Sequence, residues 1–256
     1  RVITGEVGQI KANLMYLYDV ENEYRGVHQQ IDSAGVEDGH FVFTLEDKAP
    51  ALYFVGDSPY HGGYFFLDGQ EIVLKPETVT EENIVWTVTG SPLDQVYREF
   101  NQRVYAETFG RVKDSLNALF CKAREREDRA EMMRIKNESE PYYDEGYKKE
   151  RALVNEYIQK NRENPFGMYL YYFRVFQHRD FQTVEDITSE KKYVNGFGVK
   201  SSPYIPRIME RLGQYEKCAI GHEAPEIVGQ DTLGNPLCLS DLRGYYVIVD
   251  FWDSYC

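Results

Sequence analysis

The sequence predicts a multi-domain α+β chain in three zones: an N-terminal antiparallel β-sandwich or jelly-roll-like domain over residues 1–90, a helical domain over 91–217, and a short α/β segment over 218–256. Three observations carry this division. Up to about residue 90, short runs rich in Val, Ile, Tyr and Phe are separated by Gly, Asp and Pro. At Gly90-Ser91-Pro92 the apolar period changes from two to steps of three and four. After Cys218, short strand-like runs return and lead into the continuous apolar stretch "YYVIVDFW" at Tyr245 to Trp252.

In the first zone eight strands are expected, from "RVITGEV", "NLMYLYD", "GVHQQIDSA", "HFVFTLE", "ALYFVG", "GYFFLDG", "EIVLKP" and "IVWTVTG". Side chains alternate between faces along a strand, so Phe41, Phe43 and Leu45 share one side and His40, Val42 and Thr44 the other. Asp38-Gly39 marks a tight hairpin turn, because such turns need positive φ.

In the second zone, Ser91 is an N-cap candidate, Pro92 suits the first helical position, and Asp94 complements the helix dipole. Leu93, Val96, Tyr97, Phe100, Val104, Val112, Leu116 and Leu119 then form one apolar face, with Gly110 a weak point. The charged segment Lys122 to Glu140 continues as an exposed helix ending before Pro141, since the residue before a proline disfavours the α region. Further helices are expected over Tyr147 to Asn161, after Pro165, from Thr183, where "TVED" has N-cap form, and near Pro203.

In the third zone, Leu233 to Pro236 reads as a turn between two short strands. "SDLRG" reads as one helical turn, capped by Ser240 and ended by Gly244. "YYVIVDFW" has the unbroken apolar character of a central strand covered on both faces.

The chain has 256 residues and a formal charge of -13. That field repels phosphate backbones and anionic lipid, so nucleic acid is not an expected partner. No run approaches the ~20 apolar residues of a membrane span. The four cysteines, Cys121, Cys218, Cys238 and Cys256, form no Cys-x-x-Cys pair, and neither they nor the five histidines show metal-ligand spacing. Cys121 and Cys238 read as small apolar filler. No cofactor motif, Ser-His-Asp arrangement or Gly-rich phosphate loop is present, so no cofactor and no metal are expected.

Among individual residues, Asp32 is expected to shape a turn by Asx-type bonding, and Trp86 and Trp252 to sit in the core. "SPYHGG" around His61 is a hairpin connection whose glycines also suit a binding loop. The 21 tyrosines and 14 phenylalanines indicate extensive aromatic packing, with a sugar- or peptide-binding surface as the functional alternative.

The third zone resembles the opening of TlpA-type thiol-disulfide oxidoreductases, a branch of the thioredoxin superfamily. The matching residues are Ala224 and Pro225, Gly234, Leu239 to Leu242, Gly244, and Phe251, Trp252 and Cys256, in order over some 33 residues. "IDSAGVEDGHFVF" resembles a β-rich domain of unknown function that precedes the oxidoreductase domain in many bacterial envelope proteins, and "NRENPFGMYLYYF" resembles their linker zone. Asp253 and Tyr255 stand where the family usually has Ala and Trp, and Gly244-Tyr245 replaces its Gly-Lys.

The resemblance implies that residues 218–256 are the start of a thioredoxin-like domain, truncated at the first cysteine of its pair. Cys256 would then be the nucleophile, flanked by Phe251 and Trp252, without the resolving cysteine one helical turn later. It implies a periplasmic or envelope location, with a lipoprotein-type leader as one route. Disulfide-bearing secreted or envelope proteins would be the partners of the full-length family member. This chain would be the non-catalytic front portion of such an enzyme. The competing expectation is an envelope binding or scaffolding protein that uses the β-domain and helical zone. A lone central strand exposes apolar surface and unpaired backbone, which a homodimer through the C-terminal strand would cover.

Overall fold

A computed structural model describes residues 1–22, 26–46 and 49–253, apart from the side chains of residues 22 and 27. The chain is mixed α/β, with two β-sheets in its N-terminal region and helices after them. It divides into two compact units, Arg1–Arg179 with Lys192–Ile208, and Asp180–Lys191 with Met209–Cys256.

All eight expected strands form in the first unit: β1 (Val2–Glu6), β2 (Leu14–Asn22), β3 (Val27–Gly35), β4 (His40–Thr44), β5 (Ala51–Gly56), β6 (Gly62–Leu67), β7 (Glu71–Val79) and β8 (Ile84–Thr89). They make two four-stranded sheets, ordered β4-β1-β7-β8 and β3-β2-β5-β6. One pairing departs from the antiparallel expectation: β1 and β7 are parallel, with Val2 opposite Glu71 and Gly5 opposite Leu74. Strand direction across some 70 residues is set by the route of the chain, which the alternation of side chains does not encode.

Local chemistry explains the turns and bends. Asp38 and Gly39 both take positive φ (50° and 79°), the signature of a type I′ turn, and the Glu37 and His40 backbones exchange two hydrogen bonds of 2.9 Å. On β4, Phe41 and Phe43 are buried and Val42 is exposed, as alternation requires. Asp32 lies in a strand and not in a turn. Its Oδ1 accepts the Ser33 N–H at 2.8 Å, beside the register shift where Leu17 faces Asp32 but Tyr18 faces Gln30. The Asx-type bond serves a β-bulge.

The helices are α1 (Pro92–Val104), α2 (Gly110–Glu125), α3 (Arg129–Lys160), α4 (Pro165–Leu170), α5 (Val184–Asn195) and α6 (Tyr204–Lys217). A π-helical turn, Tyr105–Phe109, separates α1 from α2, and a second, Tyr171–Val175, follows α4. The first π turn, closed by Gly110 at φ 49°, resets the helical register. This corrects the expected continuous apolar face: Leu93 and Phe100 are buried, but Val112 and Leu119 are about half exposed.

Ser91 occupies the N-cap position of α1, yet its hydroxyl donates to the Phe66 carbonyl. The capping acceptor is instead Asp68, whose Oδ2 takes the Leu93 N–H at 3.1 Å. Asp94 goes inward. Its Oδ1 accepts the Phe66 N–H at 2.8 Å and its Oδ2 pairs with Arg98, so one carboxylate ties α1 to β6.

Pro141 does not end a helix; it lies inside α3. An interior proline costs ~3 kcal/mol. Packing on both sides of it outweighs that cost. Ile135 before it and Gly146 after it are buried, and Tyr142, Tyr143 and Tyr147 surround Phe109, with the Tyr142 hydroxyl donating to the Phe109 carbonyl.

The sheet β3-β2-β5-β6 is covered on both faces, which is why every residue of β5 is buried. On one side Trp86 of β8 donates its Nε1–H to the Val55 carbonyl at 3.2 Å, joining the two sheets. On the other, Phe166 and Tyr169 of α4 stand edge-on to Phe66, with ring centres at 6.1 and 5.7 Å. The Leu52 N–H donates to the hydroxyl of fully buried Tyr204 at 2.9 Å, and Arg207 pairs with Asp19 and donates to the Val20 carbonyl at 3.0 Å. Burial drives the Tyr204 phenol far above its ordinary pKa.

In the second unit, Thr183 and Asp186 form the expected capping box: the Asp186 N–H donates to the Thr183 Oγ1 at 3.1 Å, and the Thr183 N–H to the Asp186 carboxylate at 3.3 Å. Phe181 packs on Tyr215 at 5.4 Å and Lys191 pairs with Glu216 at 2.6 Å. Two short strands, β9 (Val228–Gln230) and β10 (Pro236–Cys238), form a hairpin through Gly234 at φ 83°. A 3-10 turn follows over Leu239–Leu242, and Gly244 at φ 92° ends it. Its cap is supplied by Asp241, which accepts the Cys238 N–H at 3.0 Å, and not by Ser240, whose own N–H goes to Glu226 at 3.0 Å. The expected strand at Tyr245 to Trp252 does not form: residues 246–253 carry no regular secondary structure, and Tyr246, Ile248, Phe251 and Trp252 are highly exposed. A central strand needs neighbours on both edges, and none pairs with this run among the described residues.

Candidate functional site

The residues singled out for redox chemistry do not assemble a site among the described residues. Cys256 lies outside them. Phe251 and Trp252 are exposed, so the core role expected of Trp252 is not met. Cys121 and Cys218 are exposed free thiols and Cys238 a partly buried one, which corrects the reading of Cys121 as small apolar filler. Desolvation, then Asp241 and Glu226, push the Cys238 thiol up and away from the reactive thiolate.

The β-domain does build a concave site. A cleft of about 490 Å³ opens where the β5–β6 connection meets β3 and β8. One wall is an aromatic cluster: His28 stacks on Phe54 with ring centres 4.4 Å apart and planes at 21°. Tyr64 sets its edge against both, at 5.6 and 5.1 Å, and its hydroxyl reaches His28 Nε2 at 3.5 Å. Tyr60 stands 88% exposed at the rim. Glu82 and Asn83 supply polar groups opposite.

The floor exists because β6 opens with two glycines. A Cβ on Gly63 would lie 2.0 Å from the Ile84 carbonyl oxygen, and one on Gly62 would lie 2.4 Å from that of Val55. The backbones approach too closely for any side chain. The glycines in "SPYHGG" thus serve strand packing as much as loop freedom.

His61 is a staple. Its Nδ1 is 2.9 Å from Asp57 Oδ1 and its Nε2 is 2.9 Å from the Thr80 carbonyl, linking the β5–β6 and β7–β8 connections. Both partners are acceptors, so the protonated ring, which donates from both nitrogens, matches them best. Burial opposes that charge, but the Asp57 carboxylate and Thr80 carbonyl outweigh it and raise the pKa of His61. A raised histidine pKa contributes stability that is complete below the unfolded value near ~6.5 and lost as pH rises through the folded value. Thermal melts should therefore show His61→Gln narrowing its deficit to the parent protein from pH 5.5 to pH 8.5. A constant deficit would mean that His61 is neutral in the fold.

The arrangement offers stacking, apolar contact and a few hydrogen-bonding groups, with no nucleophile–base pair among the described residues. Its shape and chemistry are those of a binding cleft. The stack itself was not legible, because His28, Phe54 and Tyr64 come from three strands whose pairing aligns them.

A family model described as a domain of unknown function (DUF4369) matches residues 2–97, which span the eight strands and the start of α1. No curated protein and no solved structure matches the chain. No described helix is long and apolar enough to cross a membrane.

Proposed function

We propose that this chain supplies the binding region, and the opening of the redox domain, of a TlpA-type envelope thiol-disulfide oxidoreductase. The observation that carries this reading is the order of elements in residues 224–252: a Gly-turned hairpin, one turn over Leu239–Leu242 stopped at Gly244, then the apolar run to Trp252. The match of residues 2–97 supports it, because that domain often lies N-terminal to thioredoxin-like domains. In this reading the aromatic cleft of the β-domain binds, and does no chemistry.

Disulfide reduction needs an activated thiolate and a second sulfur to resolve the mixed disulfide. These 256 residues contain no Cys-x-x-Cys. The polypeptide is accordingly expected not to raise the rate of insulin reduction above that of dithiothreitol alone. A rate enhancement that disappears in Cys256→Ser would overturn the division into binding and redox parts. Fractionation of cells that make the protein tests the location: recovery in the cytoplasm alone would sink the envelope assignment.

The alternative, a binding or scaffolding protein without redox chemistry, is favoured by the cleft alone. Intact mass of the protein purified from its native cells separates the two. A chain extending into a second cysteine and a thioredoxin-sized remainder supports the first reading.

A further inference from the structure

Two connections, β5–β6 and β7–β8, supply the rim of the aromatic cleft, and a hydroxyl pins each of them. Ser58 Oγ accepts the Tyr60 and His61 N–H groups at 3.3 and 3.0 Å. Thr80 Oγ1 accepts those of Glu82 and Asn83 at 3.3 and 3.1 Å and lies 3.2 Å from Asn83 Oδ1. His61 then ties the two connections together through Asp57 and the Thr80 carbonyl. The backbone that carries the rim side chains is therefore in place before a ligand arrives, which lowers the entropy cost of binding.

Three of those side chains are left without partners of their own. Tyr60 is 88% exposed, and its ring meets no other ring among the described residues. Asn83 turns its Oδ1 toward Thr80, so its amide nitrogen has no acceptor among the described residues, and the Glu82 carboxylate has no donor. A carboxylate only accepts and an amide nitrogen only donates. Two consecutive residues thus offer an acceptor and two donors beside a bare aromatic face. A hydroxyl both donates and accepts, so two neighbouring hydroxyls on one molecule satisfy both groups. The C–H bonds on one face of a sugar ring carry slight positive charge and meet the negative face of an aromatic ring favourably.

Other ligand classes fit less well. Arg98 is the only lysine or arginine in the lining and is paired with Asp94, so an anion meets no uncommitted guanidinium or ammonium group there. A peptide that added a strand to the outer edge of β6 would need the backbone groups that point outward from it. At Phe66 these are already taken, the N–H by Asp94 Oδ1 at 2.8 Å and the carbonyl by the Ser91 hydroxyl.

Resting on the reading of this cleft as a binding site, we propose that its ligand is a neutral saccharide, one sugar ring stacked on Tyr60 with neighbouring hydroxyls shared between Glu82 and Asn83.

The test uses the full chain on two arrays, with calorimetry on the hits. One array carries neutral oligosaccharides of glucose, mannose, galactose, xylose and N-acetylglucosamine, the other short peptides. At least one oligosaccharide is expected to bind saturably, with an affinity that added salt does not change. Tyr60→Ala should weaken it by ~10-fold or more, and Tyr60→Phe, which keeps the ring, should not. Glu82→Ala should weaken it by ~2–10-fold, the size of a lost hydrogen bond, and Asn83→Asp, which keeps the oxygen facing Thr80 but loses the donors, by a similar factor. Tyr246→Ala, at a fully exposed tyrosine of the second unit, should leave binding unchanged. Thermal melts of every variant monitor folding, and Tyr60→Leu, which also lacks the aromatic face, replaces the alanine variant if that one unfolds. Binding of peptides alone, lost in Tyr60→Ala, would overturn the saccharide assignment and leave the cleft a binding site. Sugar binding that ignores Tyr60 would overturn it too. Binding to neither array would sink the assignment together with the reading of the cleft as a binding site.

Discussion

Asp94→Ala is expected to lower the unfolding free energy by about 1–3 kcal/mol, the range for leaving a buried donor without its acceptor, since the partner Arg98 is 37% exposed and is not a fully buried charge. Asp94 is only 2% exposed. Burial raises its pKa, and the Phe66 N–H and the Arg98 guanidinium only partly reverse that. The carboxylate is thus held in the core by its partners. Truncation leaves Arg98 without its counter-charge and the Phe66 amide without its acceptor, at the junction of β6 and α1. Asp94→Asn keeps an acceptor for Phe66 and should lose less. Urea unfolding curves measure both. A loss of about 0.5 kcal/mol or less for the alanine variant, the size of a surface change, would mean that the junction is held by other contacts.

Trp86→Ala is expected to cost about 3–5 kcal/mol, by cavity formation and lost burial. The indole is fully buried, stands edge-on to Phe41 with ring centres 6.1 Å apart, and bonds the Val55 carbonyl of the other sheet at 3.2 Å. Trp86→Phe separates the two contributions. It keeps most of the ring but gives up the bond, which should cost about 0.5–1.5 kcal/mol for one net hydrogen bond, plus a small cavity. Chemical denaturation followed by far-ultraviolet circular dichroism is the measurement. If the phenylalanine variant loses as much as the alanine one, the bond between the sheets stabilises the fold more than the packing of the ring does.

Much of the β-domain was legible residue by residue. Period-two apolar runs and punctuating Gly, Asp and Pro placed all eight strands, and Asp38-Gly39 gave its turn type directly. Such signals are local. The parallel β1–β7 pair was not legible because direction is a property of the route between them. Pro141 misled for a related reason: its local cost is real, but aromatic packing around Phe109, contributed from 30 residues away, overrides it. The apolar run at Tyr245 to Trp252 misled in the opposite sense, since its composition describes a strand whose partners are not among the described residues. The aromatic stack of the β-domain was obscure for the same reason, because it draws on three separated strands that only the sheet pairing aligns.

The double covering of the β3-β2-β5-β6 sheet has a consequence for synthesis. β5 and β6 leave the ribosome about 100 residues before α4, which carries the rings that shield Phe66. At ~5–20 residues per second, that hairpin waits for roughly 5–20 s with one oily face bare. Nascent chains of this protein therefore pass through an interval in which a holdase must keep that surface from its neighbours on the polysome.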